Sequence, residues 1–235
     1  MVKSDIISVL KANRLYWLGR YEERVYMTLH LLRKCYDKMI DGEPEDYEQF
    51  WHKLDPYATY NTTEDFAFGM LYDDNNPYSV LSELNRAKDN AILLREDITS
   101  ETLSYIEMSI AYMENCKLNK ELNITALQNI TDWSMAFWGS IEQRVENPNE
   151  LAMMMVGKTV ENIDMYLRFN YPFRRISFLY DRLVKYGDNV RMLIFDELIE
   201  KQLEENFMVY RYMPDIPDKE FSNELIIDIN KLVKV

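Results

Sequence analysis

The sequence predicts an all-α protein, a single-domain helical bundle, and three observations support this fold class. Only 6 glycines and 7 prolines occur among 235 residues, which favours long uninterrupted elements over the many turns of a β-sandwich. Apolar residues make up 47% of the chain, which is enough to form a substantial core. A helical spacing joins the apolar residues of the first long segment, Leu18, Val25, Leu29 and Leu32.

Start and stop signals divide the chain into successive helices. Asn76-Pro77 and Asn147-Pro148 are helix starts, because asparagine caps free amides and proline is tolerated in the first turn. We expect Thr99 or Ser100 to cap a further helix. The predicted helices span residues 5–40, 46–54, 62–71, 77–94, 100–117, 124–145, 148–171, 173–186 and 189–207. Two prolines interrupt residues 213–217. We therefore predict a helical domain at 1–212 and a C-terminal extension with a short helix at 213–235.

The chain is strongly acidic, with a formal charge of −13 from 40 acidic and 27 basic residues. Such a surface repels phosphate backbones and anionic lipid, which argues against nucleic-acid and membrane partners. The sequence contains no run of 18 uncharged apolar residues that would predict a membrane span. Cys35 and Cys116 lie far apart within helical patterns and predict reduced, packed thiols. Together with the absence of a signal-peptide pattern, these features predict a cytoplasmic protein.

Two segments of the chain repeat the same pattern. Residues 18–27 read LGRYEERVYM and residues 156–165 read VGKTVENIDM, so both contain Gly-basic-x-x-Glu. Glycine disfavours a helix interior by about 1 kcal/mol relative to alanine. Its presence at Gly19 and Gly157 therefore indicates close packing of helices, and the bundle is predicted to contain a pseudo-repeat of two such helices, packed near each other.

Each basic–acidic pair lies on a second, mixed face of its helix, because residues three apart are neighbours. The mixed faces are predicted to comprise Tyr16, Arg20, Glu23, Met27 and His30 in one copy, and Met154, Lys158, Glu161, Met165 and Arg168 in the other. A helix with one apolar and one mixed face is expected to be central, with partly buried charges. Between the copies, Arg86 and Asp89 repeat the basic–acidic spacing. The pairs can be ordinary surface pairs or one converging buried cluster, structural or functional.

At these residues the chain resembles the alpha-E family of bacterial helical proteins, named for their helices and characteristic glutamates. Residues 12–24 resemble its N-terminal signature, which ends in Glu-Arg. Its middle signature is matched by residues 76–80 with Arg86, Asp89, Asn90, Ala91, Arg95, Glu96, Ser100 and Glu101, although the family more often has Glu at the place of Asp89. Residues 157–167 resemble a second Gly-Arg-x-x-Glu-Arg, with Lys158 and Asn162 in place of arginine.

The resemblance covers about three quarters of the chain and fades beyond Pro172. It implies an association with ATP-grasp ligase-like and transglutaminase-like proteins, in systems thought to form or modify peptide or amide bonds. The chain lacks the glycine-rich nucleotide motifs, so any ATP chemistry is expected to come from such a partner and no cofactor is predicted.

Metal and cysteine chemistry receive little support from the sequence. A di-metal bundle needs Glu-x-x-His motifs, and neither His30 nor His52 follows a glutamate at that spacing. Glu48 and His52 stand at i and i+4, but an isolated pair is a weak ligand set, and no metal site is predicted. Cys35 and His30 are five residues apart and point in different directions, which disfavours a Cys–His nucleophile.

Two functions remain open. The first is a helical accessory subunit supporting an ATP-grasp-type system that forms or modifies peptide or amide bonds; the alternative is a stand-alone enzyme doing acid–base chemistry on a small polar or peptidic substrate. A homo-oligomer is also left open. In both, the candidate polar cluster is Arg20, Glu23, Arg24, Arg86, Asp89, Asn90, Arg95, Lys158 and Glu161. We expect Glu23→Gln to lower the unfolding midpoint and Glu22→Gln, one step round the helix, to leave it nearly unchanged.

Overall fold

The computed structural model of the chain describes residues 7–40, 47–55, 59–122, 127–190, 194–210 and 218–234. Within these ranges the secondary structure is helical apart from one isolated antiparallel bridge between Phe195 and Val233, which agrees with the predicted all-α class. The described helices are α1 Val9–Ile40, α2 Tyr47–Leu54, α3 Thr63–Tyr72, α4 Val80–Leu93, α5 Arg95–Ile98, α6 Ser100–Leu118, α7 Gln128–Arg144, α8 Pro148–Arg168, α9 Phe173–Gly187, α10 Glu197–Tyr210 and α11 Lys219–Lys231.

The helices group into two compact units. The terminal unit comprises Met1–Arg20 and Val145–Val235, and the central unit comprises Tyr21–Arg144. Helix α1 therefore contributes residues 9–20 to the terminal unit and residues 21–40 to the central unit. The boundary predicted at residue 212 lies outside the described residues. The short C-terminal helix predicted beyond that boundary is present as α11.

Helix α8 forms the core of the terminal unit. Most of its side chains are buried, and α9 and α11 both pack against it. Helix α11 places Leu225 and Ile229 in the apolar interior, where both side chains are fully buried. A cluster of aromatic rings adds to this interior at the α9, α10 and α11 contacts, and it contains Phe173, Tyr180, Phe207, Tyr210 and Phe221.

In the central unit, helix α6 packs against α3, α4 and α7. Its interior includes the fully buried side chains of Leu84, Met113 and Phe137. The hydroxyl groups of Thr102 and Ser140 join α6 to α7 through a buried hydrogen bond of 2.7 Å. Cys35 and Cys116 are buried and form no disulfide, as predicted from their positions in helical patterns.

Helix starts follow side-chain caps, one of which differs from the prediction. Asn147 caps α8 by accepting a hydrogen bond from the backbone N–H of Asn149, and Pro148 opens the helix as expected. The predicted cap at Asn76 is wrong, because Ser79 caps α4 by accepting from the N–H of Ser82. Asn76 instead stabilises the preceding turn through the N–H of Tyr78.

Two helix boundaries also differ from the prediction. A separate short helix, α5, precedes α6, and Thr99 lies between them at φ 74°, where it caps α6. Within the range 189–207, where one helix was predicted, α10 begins at Glu197, and Asp196 before it accepts backbone hydrogen bonds from residues 198 and 199; residues 191–193 lie outside the described residues. Across the part of the chain that the structure describes, no helix is both long and apolar enough to cross a membrane.

Candidate functional site

The two glycine-bearing helices touch in the terminal unit, and glycine is what permits the contact. A Cβ atom placed on Gly19 would lie 2.3 Å from the carbonyl oxygen of Met154, and one on Gly157 would lie 2.2 Å from that of Tyr16. The contact is reciprocal, because each glycine faces the carbonyl three residues before the other glycine. The predicted packing of the repeat is therefore confirmed, with a local twofold relation between α1 and α8.

Beside this contact, Arg20 gathers polar groups from α1, α8 and α11. Its Nε donates to Glu161 Oε2 at 2.8 Å, and its Nη2 lies 2.7 Å from the same oxygen. Its Nη1 donates to Asn230 Oδ1 at 2.8 Å and to the Tyr16 hydroxyl at 3.3 Å. Asp164 stands 3.9 Å from Nη2. We call these five residues the Arg20 cluster.

The Arg20 cluster is internally paired, and its ionisable side chains are buried, whereas Asn230 is exposed. Arg20 is 5% exposed, Glu161 1% and Asp164 0%. Desolvation by itself lowers the pKa of Arg20, but the negative charge of Glu161, with Tyr16 and Asp164, outweighs it and raises that pKa. The guanidinium therefore stays charged. For the Tyr16 hydroxyl, by contrast, burial raises the pKa.

Two residues of the mixed face predicted for α8, Lys158 and Arg168, are half-buried. Arg168 donates from Nε to Asp164 Oδ1 at 2.9 Å. The carboxylates paired with Arg20 thus lie on α8, whereas the i, i+3 spacing had suggested Glu23 as its partner.

A second group of buried carboxylates lies in the central unit, around Glu83 of α4. Glu83 is 2% exposed. Its Oε1 accepts from Arg86 Nη1 at 3.4 Å and lies 4.0 Å from Arg24 Nη1. Glu23, next to Arg24 in sequence, is 4% exposed, so its predicted burial is confirmed. The mixed face of α1 is thus buried through Met27, although His30 at its end is exposed.

Glu22 was expected to lie away from the interior, and this expectation is wrong. Its side chain is 2% exposed, and its Oε2 accepts from the Ser134 hydroxyl at 3.3 Å. Burial, together with the nearby charge of Glu23, raises the pKa of Glu22 to about 8. At this position the apolar face and the mixed face of α1 are both covered by other parts of the unit, so Glu22 is not exposed. We therefore expect substitution of Glu22 to change the stability.

The remaining candidates lie on or beside α4. Asn90 is half-buried and donates to the backbone carbonyl of Arg86 at 3.2 Å, whereas Asp89 and Arg95 are exposed. The nine candidates therefore divide between the units: Arg20, Lys158 and Glu161 belong to the terminal unit, and the other six belong to the central unit. Their convergence into one cluster stays a prediction.

Sequence reasoning missed several members of both clusters. Asp164 and Glu83 carried a usable signal, because each stands three residues from a candidate, Glu161 and Arg86. Glu22 was not chosen as a candidate because its neighbour Glu23 was taken to be the residue that faces the interior. No sequence signal pointed to Asn230, since 210 positions separate it from Arg20.

A family model described as a predicted alpha-helical domain with a conserved ER motif matches residues 11–181. The chain belongs to the Alpha-E family. Its single Glu-Arg dipeptide is Glu23-Arg24, on α1. The Alpha-E match also includes Arg20, Glu161 and the two contacting glycines, but it stops before α10 and α11. No curated protein and no solved structure matches the chain significantly.

Proposed function

We propose that this Alpha-E protein is a non-catalytic helical subunit that supports an ATP-grasp-type system forming or modifying peptide or amide bonds. The observation that carries this proposal is the closed state of the Arg20 cluster. Its charges are buried, and Arg20 already bonds Glu161, Asn230 and Tyr16. Such a cluster joins three helices and leaves none of its ionisable side chains facing solvent.

The chemistry of the cluster supports a structural role. A general acid or base must exchange a proton near the working pH and must reach its substrate. Arg20 holds its proton, since the surrounding charges raise its pKa. In this proposal the bond-forming step occurs on the partner, and the resemblance stated above supplies the class of partner, an ATP-grasp-like or transglutaminase-like protein.

The test is a reconstitution of this chain with a purified candidate partner, an ATP-grasp-like protein. ATP-dependent ligation is measured for the partner alone, for this chain alone, and for both together. We expect activity from the partner, raised by this chain, and none from this chain by itself. Turnover by this chain alone would contradict the proposal.

A second candidate function, a stand-alone acid–base enzyme, is favoured by one observation. The pKa of Glu22 is raised to about 8, and strongly shifted carboxyl groups are frequent at active sites. An enzyme of this kind would process a small polar or peptidic substrate without a partner. Its test is Glu22→Gln, which would abolish that activity while leaving the helical circular dichroism unchanged.

A further inference from the structure

A surface depression of about 460 Å³ lies in the central unit where the turn after α3 meets the start of α4. Its lining is mainly polar, and it contains Asp74, Asn75, Pro77, Ser82, Asn85 and Arg86. Its volume is within the usual range for small-molecule sites, roughly 300–1,000 Å³. The depression opens to solvent, and none of its lining residues belongs to the Arg20 cluster.

Arg86 is the cationic group of this depression, and part of its guanidinium is uncommitted. Its Nη1 donates to the carbonyl oxygen of Pro77 at 2.8 Å and to Glu83 Oε1 at 3.4 Å. Its Cζ lies 5.9 Å from the centroid of the Tyr21 ring, which helps to fix the side chain. Among the described residues, Nε and Nη2 have no hydrogen-bond acceptor, and 41% of the side chain is exposed.

Asn85 offers a second unused group on the same wall. Its Nδ2 donates to the carbonyl oxygen of Leu81 at 3.0 Å, which orients the amide. In the described part of the chain, its Oδ1 receives no hydrogen bond. The depression thus combines a partly free guanidinium with a free carbonyl-type acceptor.

We propose that this depression binds a small carboxylate ligand that carries an adjacent N–H group. The two carboxylate oxygens accept from Arg86 Nε and Nη2, which form one edge of the planar guanidinium. The ligand N–H donates to Asn85 Oδ1. N-acylated amino acids and peptide carboxyl termini have this pair of groups. The site goes beyond the proposed accessory role and does not depend on it.

Charge favours a carboxylate over a phosphate as the ligand. One arginine supplies the positive charge at the depression, and the carboxylate of Asp74 stands in the same lining, where it pairs with Lys117. A phosphate near neutral pH carries more negative charge than a carboxylate. It would therefore meet stronger repulsion from a chain whose formal charge is −13.

The test is a titration of the full chain with N-acetylglycine, followed by NMR of the side-chain amides and by calorimetry. We expect saturable binding in the millimolar range, with shifts of the Asn85 and Asn75 amide signals. N-acetylglycinamide, which lacks the charge, and inorganic phosphate should bind at least about tenfold more weakly, a difference of about 1.4 kcal/mol.

Variants locate the ligand on the guanidinium. Arg86→Gln should weaken N-acetylglycine binding at least about tenfold. Arg86→Lys, which keeps the charge but loses the fork, should also weaken it. Arg144→Gln removes an exposed arginine elsewhere in the central unit and should leave binding within about twofold of the unmodified chain. The assignment would be overturned if N-acetylglycine binding did not saturate or left the Asn85 signals unshifted. It would also be overturned if Arg86→Gln bound the ligand as tightly as the unmodified chain, or if phosphate bound as tightly as N-acetylglycine.

Discussion

Glu22 makes the stability of the protein depend on pH. Its pKa rises from an ordinary 4.5 to about 8 on folding, so the folded state binds the proton more tightly than the unfolded state. Stability from this group is therefore complete below the ordinary pKa and is lost as the pH rises through about 8. Between the ordinary pKa of 4.5 and the raised pKa of about 8, the loss of stability approaches about 1.4 kcal/mol per pH unit.

Glu22→Gln should remove this dependence, because a neutral amide replaces a carboxyl group that folding keeps neutral. We expect the variant to unfold at higher urea than the original chain at pH 9, with the difference shrinking towards pH 5. Glu142→Gln, an exposed change in the same unit, serves as the control. A stability difference for Glu22→Gln that is constant from pH 5 to pH 9 would contradict the assigned cause.

The Arg20–Glu161 ion pair should be far more sensitive to substitution than a surface pair. Glu161→Gln leaves the buried Arg20 charge poorly compensated, and breaking such a pair typically costs about 3–5 kcal/mol. The exposed pair between Arg144 and Glu101, at 2.7 Å, is the matched comparison. Its disruption by Glu101→Gln should cost less than about 1 kcal/mol.

Chemical denaturation at pH 7 measures both variants. Similar small losses for Glu161→Gln and Glu101→Gln would show that the Arg20 cluster does not hold its helices together. Low salt dependence is also expected for the buried pair, because counterions cannot approach it closely.

At the scale of single elements, the contact of α1 and α8 predicts opposite effects for two alanine substitutions. Gly19→Ala would place Cβ 2.3 Å from the backbone oxygen of Met154, so the helices must move apart. Gly139 is exposed on α7 and has no atom within 4 Å of its added Cβ. Gly139→Ala should therefore stabilise the chain by about 0.5–1 kcal/mol, the usual helix preference for alanine.

Thermal melts followed by circular dichroism at 222 nm would show the contrast, with Gly19→Ala below the original midpoint and Gly139→Ala above it. An increase for Gly19→Ala would mean that the helices are not held in close contact at this position.

The elements also show what sequence can and cannot predict. Long periodic segments such as α1 and α8 were predictable, because local apolar spacing and caps determine them. The glycine contact was predictable too, since glycine in a helix interior is costly without a packing reason. The start of α4 was not, because Asn76 and Ser79 both offer cap oxygens and the turn geometry selects Ser79. Asn230 shows the limit for the candidate site: its contact with Arg20 depends on tertiary packing of α11.

At the scale of the whole molecule, the Alpha-E match ends before the core does. A chain ending at residue 187 would lose α11, and with it the buried side chains of Leu225 and Ile229 and the Asn230 contact. Each fully buried side chain of this size contributes about 1.5–3 kcal/mol. Since a domain is stable by only about 5–15 kcal/mol, we expect the shortened chain to lose cooperative unfolding.

The measurement is urea unfolding of the full and shortened chains, with binding of a dye that reports exposed apolar surface. Strong dye binding by the shortened chain is expected. A sharp transition at the midpoint of the full chain would show that the matched segment is stable without α10 and α11.

The division of α1 between two units has a consequence for synthesis on the ribosome. The central unit is continuous, so its residues are available to fold together once residue 144 has emerged. The terminal unit is interrupted, and the early residues Leu15 and Leu18, both fully buried in the finished protein, must wait for α8 and α11. At typical translation rates of about 5–20 residues per second, the roughly 210 residues from Leu18 to the end of α11 take roughly 10–40 s to synthesise. During that time the start of α1 lacks its final neighbours, and we expect its apolar side chains to be available to a chaperone.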